Sequence, residues 1–102
     1  MLEAVKSELI RLHTRMARIH RLTDELFDDP LTAPNGEVFS GLMERQYRKV
    51  DSIYEAFNQA DRLLKTDAER NQRFTAILAS LELVNEKLRE IQGELDKILG
   101  KD

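Results

Sequence analysis

The chain contains no cysteine, which excludes a disulfide framework and any thiolate metal site and leaves it compatible with a reducing compartment. Only two prolines and four glycines interrupt its 102 residues, and aromatics are confined to six positions, a poverty of turn formers and β formers that argues against an all-β fold. No apolar run approaches the roughly 20 residues of a membrane span. The amino-terminal MLEAVKSELIRL alternates charged and apolar residues instead of presenting the apolar block of a signal peptide, so a cytoplasmic location is the expectation. Gly-rich phosphate loops and serine-nucleophile motifs are absent. The net charge of −3 leaves no chain-wide attraction for nucleic acid or anionic lipid, although a local basic patch is compatible with it.

What the chain has instead is charge, 34% of its residues, laid over apolar positions at helical spacing. From Phe74 onward, Ile77, Leu81, Val84, Leu88, Ile91, Leu95 and Ile98 recur at alternating steps of three and four, filling the a and d positions of an unbroken heptad pattern. Burying such a seam yields ~12 to 24 kcal/mol gross, while ordering each residue that carries it costs about 1 to 2 kcal/mol. The segment therefore needs partner helices. Leu2, Val5, Leu9, Leu12, Met16, Ile19, Thr23 and Leu26 form a first seam, which ends at the acidic turn DELFDDP. Met43, Tyr47, Val50, Tyr54, Phe57 and Leu64 form a middle seam, widened along one edge by Phe39, Ile53 and Ala60. These patterns predict helices over about residues 2–28, 37–65 and 67–99 in one domain, with residues 28–36, DDPLTAPNG, as the linker. The second break is less strongly marked. KTDAERNQR lacks a seam and Thr66 precedes Glu69 by three residues, a capping-box spacing, yet no Gly or Pro enforces a turn, so a single helix from Glu37 to Leu99 is the alternative. The fold expected is an all-α antiparallel three-helix bundle with coiled-coil-like packing, running up, down and up, free to form oligomers.

No pattern names an enzyme, a cofactor or a metal. His13 and His20 stand seven residues apart, a poor geometry for a metal without a third ligand. Carboxylate pairs such as Asp28 with Asp29, or Glu86 with Glu90, lack the apolar surroundings that would split their pKa values. Arg15 and His20 form an R-x4-H string, RMARIH, which resembles the motif of HEPN-type ribonucleases but has Met16 where those families usually place a polar residue. Arg11, Arg15 and Arg18 share one face of the first helix, a basic stripe suited to phosphates, to an acidic partner, or to the acid row Glu82, Glu86, Glu90 and Glu94 of the last helix. No aromatic interleaves it, so nucleic acid is the least favoured of these.

The apolar residues outside the seams are more informative: Ile10, Leu22, Leu42, Leu63, Leu78, Leu83 and Leu99. A three-helix core cannot hide all of them, and Leu78 and Leu99 share an edge on which a fourth helix would dock. Leu78, Leu83 and Leu99, with Leu42 and Leu63, are the predicted partner-binding residues, the partner being an amphipathic helix of another protein or a second copy of this chain.

FSGLMERQYRKVDSI, with Leu42, Arg45, Val50 and Ile53, and AILASLELVNEKLREIQGELDKIL, with Asn85 and Leu88, together resemble the second and late helices of the small flagellar export chaperones of the FliT type, and more distantly the FlgN type. The resemblance covers about half the chain and leaves out the basic stripe and the proline-bearing linker. It implies a cytoplasmic helical chaperone that binds an aggregation-prone helical segment of an export substrate.

Overall fold

The computed structural model describes residues 1–101, which form three helices, α1 (Leu2–Phe27), α2 (Ala33–Leu63) and α3 (Asp67–Leu99), with no strand. Inter-helix pairs fix their directions. Glu8 meets Asn85, Arg18 meets Asp96 and Glu25 meets Lys101, so α1 and α3 run parallel. Phe57 meets Phe74 and Asp61 meets Arg70, so α2 returns antiparallel between them. The result is the expected up-down-up bundle, drawn out to 55 × 22 × 15 Å.

Its core is the predicted seams. Val5, Leu12, Ile19 and Leu26 of α1 pack with Met43 and Val50 of α2 and with Phe74, Ile77, Leu81, Val84, Leu88, Ile91 and Leu95 of α3. One seam position departs: Ile98 is 40% exposed, and Leu99 packs against the core in its place. The reason is geometric. A straight helix of 3.6 residues per turn drifts about 20° per heptad from a strict 3.5 repeat, and three and a half heptads of drift bring the next residue under the core.

The first connection is shorter than its composition suggests. α2 begins at Ala33, so only Asp28 to Thr32 lie between helices. Pro34 sits in the first turn, where an N–H would have no intrahelical acceptor. Thr32 Oγ1 donates to the Leu26 carbonyl at 2.7 Å, and Asp29 Oδ1 accepts from the Leu31 N–H at 2.9 Å, closing the turn. The Asn35-Gly36 pair, expected in the linker, is helical. Gly36 serves close approach: a Cβ there would stand 3.0 Å from the Phe27 ring.

The second break is real, which removes the continuous-helix alternative. Leu64 adopts an extended conformation (φ −86°, ψ 128°), and Thr66 caps α3 by accepting the Glu69 N–H at 3.2 Å. Arg70 secures the joint from the α3 side. Its guanidinium donates to the carbonyls of Asp61 (3.0 Å) and Leu64 (3.4 Å), pairs with the Asp61 carboxylate at 2.7 Å, and lies over the Phe74 ring. At the far end Gly100 takes the left-handed conformation (φ 70°) that ends α3, and the Lys101 N–H returns to the Asp96 carbonyl at 2.7 Å.

Candidate functional site: the groove between α2 and α3

Three helices leave three clefts along the bundle, and they differ in chemistry. The α1/α3 cleft is polar, lined by Glu8, Arg11, Arg15, Glu82, Asn85 and Arg89, with Glu86 beside them. Asn85 is buried at its floor, where Nδ2 donates to the Glu8 carboxylate at 2.7 Å. The basic stripe of α1 is turned toward this cleft. Arg11 pairs with Glu8 of its own helix at 2.8 Å, Arg15 is half-buried opposite Glu82 and Glu86, and Arg18 reaches Asp96 at 4.0 Å. Of the three, only Arg18 reaches an acid of α3, Asp96, while Arg15 lines the cleft with Glu82 and Glu86 without an ion pair among the described residues.

The α1/α2 side holds the histidines. His13 Nε2 contacts the Tyr54 hydroxyl, and burial raises the Tyr54 phenol above its ordinary value. His20 is exposed, 3.6 Å from Asp24, and lines a shallow depression with Thr23, Ser40, Met43 and Tyr47. Arg15 faces α3 while His20 faces α2, so the two residues of the R-x4-H string do not meet in one pocket. Five residues along a helix rotate a side chain by about 140°. Among the described residues, no three His, Cys, Asp or Glu side chains come together as a metal site.

The α2/α3 side carries a larger groove than the α1/α2 side. A groove of about 370 Å³ is lined by Gln46, Lys49, Ser52, Ile53, Ser80 and Leu83, over Val84. Nearer the α2/α3 joint lies a second, separate depression of about 120 Å³ bounded by Ala56, Gln59, Ala60, Leu63, Leu64 and Arg73. Small side chains on both helices make this trough possible. Ser52 donates to the Arg48 carbonyl and Ser80 to the Ala76 carbonyl, each at 3.2 Å, so neither serine hydroxyl needs a partner from outside. Gln46 is 3% exposed and its Oε1 has no hydrogen-bond partner. Leu83 and Leu63, each 68% exposed, stand at the two ends of the trough.

The predicted partner-binding leucines therefore divide. Leu63 and Leu83 are exposed at the groove, whereas Leu42, Leu78 and Leu99 are half-buried and pack against the core. The edge assigned to a fourth helix is already occupied: Asn85 lies on it, seven residues after Leu78 and fourteen before Leu99, and α1 covers it through Glu8. Leu22 is fully core, and Ile10 remains 68% exposed on α1. Sequence reasoning missed Gln46, Lys49 and Arg73, which line the groove. Only the acid-free run Arg45, Lys49, Ser52, Ala56 at steps of four and three hinted at them.

Among the described residues, no helix is long and apolar enough to cross a membrane. Comparison with protein-family models, with curated proteins and with solved structures finds no match for this chain.

Proposed function

We propose that this protein is a non-enzymatic helix-binding module, a small cytoplasmic chaperone or adaptor that holds the apolar face of an amphipathic helix from an export or assembly partner. The observation that carries this reading is the trough between α2 and α3, floored by Gln46 and Val84, edged by Ser52 and Ser80, and flanked by Leu63 and Leu83, both 68% exposed. The resemblance of its second and third helices to FliT-type export chaperones supports the same class of client.

Magnitudes bound the interaction. Burying the exposed parts of two leucines supplies about 2 to 4 kcal/mol, well under the roughly 8 kcal/mol of a micromolar complex. The client must therefore use the whole trough, as an extended helix does and a short peptide does not. The same exposed leucines suit the competing reading, a self-assembling coiled coil in which a second copy fills the groove.

One experiment separates them. A photo-crosslinking amino acid is placed at position 83 in cells of the native host, and the adduct is identified by mass spectrometry. A helical segment of a different protein supports the adaptor. A crosslink to position-matched peptides of the chain itself transfers support to the homo-oligomer, and the absence of any adduct from an expressed, helical protein rejects the groove as a contact surface.

A further inference from the structure

The groove carries charge as well as apolar surface, and the two helices distribute it unevenly. On α2, the strip that borders the groove runs through Lys49, Ser52, Ala56 and Leu63 without an acid. The acids Glu37, Glu44, Asp51 and Glu55 follow at steps of seven, seven and four, on a strip about a third of a turn away. On α3, Arg73 lines the end of the trough beside Leu63. Lys49 and Arg73 are both exposed, and neither makes an ion pair among the described residues. Glu69 is the one acid among the residues that line these depressions, and Asp61, the other acid at the α2/α3 joint, is paired with Arg70.

We propose that the α2/α3 groove selects an acidic amphipathic helix, one with small or apolar residues along one face and carboxylates about four turns apart that meet Lys49 at one end and Arg73 at the other. The inference rests on the helix-binding reading above and adds the charge of the partner. The span follows from α2 itself: Lys49 and Leu63 are fourteen residues apart, about 21 Å of helix. A second copy is the poorer occupant. A two-fold contact through this groove would bring two sets of Lys49 and Arg73 into one interface with Glu69 as the only acid lining each.

The test uses three fluorescein-labelled 18-residue helical peptides with one common leucine stripe and with Glu, Gln or Lys at the flanking positions, titrated with the full chain by anisotropy. In 50 mM salt the Glu peptide should bind tighter than the Gln peptide by about three- to tenfold, the yield of two exposed ion pairs, with the Lys peptide weakest. The gap should close in 500 mM salt. The double variant Lys49→Glu/Arg73→Glu, whose helicity and urea midpoint should match the parent because both sites are exposed, should invert the order. Equal affinity for all three peptides, lost in Leu83→Asp, would keep the helix-binding reading and overturn the acidic partner. No binding by any peptide would overturn both. A concentration-dependent dimer that Leu83→Asp dissociates would overturn the proposal by making the second copy the occupant.

Discussion

Asn85 offers the sharpest test of how this bundle is held together. It is 6% exposed between α1 and α3, with Nδ2 bonded to the Glu8 carboxylate at 2.7 Å and Oδ1 without any partner. Replacing it by leucine removes a hydrogen bond to a charged group, a loss of about 1.5 to 3 kcal/mol. The same change relieves the orphaned Oδ1, a gain of about 1 to 3 kcal/mol, and buries an isobutyl group worth about 1.5 to 3 kcal/mol. The extra volume is accommodated because the neighbouring cleft is open and walled by arginine side chains. Asn85→Leu should therefore stabilise the fold by about 1 kcal/mol. Asn85→Ala loses the same bond and gains no such burial, so it should fall about 1 to 2 kcal/mol below the parent. Urea unfolding followed at 222 nm resolves the difference, since each 1 kcal/mol moves the midpoint by roughly 0.7 to 1 M for a domain of this size. Glu8→Ala should cost about 1 to 3 kcal/mol in the parent, by stranding Nδ2, and much less in the Asn85→Leu background. If Asn85→Leu proved no more stable than Asn85→Ala, the reasoning that a half-satisfied buried amide is worse than an apolar side chain here would be wrong.

Three further outcomes follow from the same contacts. Arg70→Ala should cost about 1 to 2 kcal/mol and raise amide exchange in the last turn of α2, because the guanidinium caps that helix and covers Phe74; unchanged exchange at residues 61–64 would remove Arg70 as the clamp. Leu83→Asp should leave stability within about 0.5 kcal/mol, whereas Leu78→Asp should lower it by about 2 to 3 kcal/mol because Leu78 packs against the core; equal effects would contradict the division of the leucines. In a Tyr47→Phe variant, absorbance at 295 nm should place the Tyr54 midpoint higher in the folded chain than in the same chain in denaturant. With the folded phenol raised by burial, its contribution is fully present below about pH 10 and is lost as pH climbs through the folded value, so the fold should weaken on the alkaline side.

The division between what pattern reveals and what packing decides runs through particular residues. The heptad steps from Phe74 to Leu95 and from Leu2 to Leu26 required three amphipathic helices, because a single apolar stripe at that period can be buried only by other helices. Thr66 and Glu69 marked the start of α3 because capping is a local hydrogen bond, legible within four residues. Gly36 was not legible in this way. Asn-Gly reads as a turn until Phe27 is known to press against it, and that contact depends on how α1 and α2 are joined.

Leu78 and Leu83 make the same point for the candidate site. Both lie off the seam, and the choice between core and surface turns on which side of α3 receives α1. The sequence alone determined that this chain is all-α, with three apolar seams and more leucines than they can hide, since periodicity and volume are properties of the chain, while the break between the second and third helices was settled by the structure. Only the tertiary structure decided that α1 takes the edge carrying Asn85, leaving the groove of Gln46, Lys49 and Leu83 open between α2 and α3, because the azimuth at which one helix meets another is set by contacts between residues far apart in sequence.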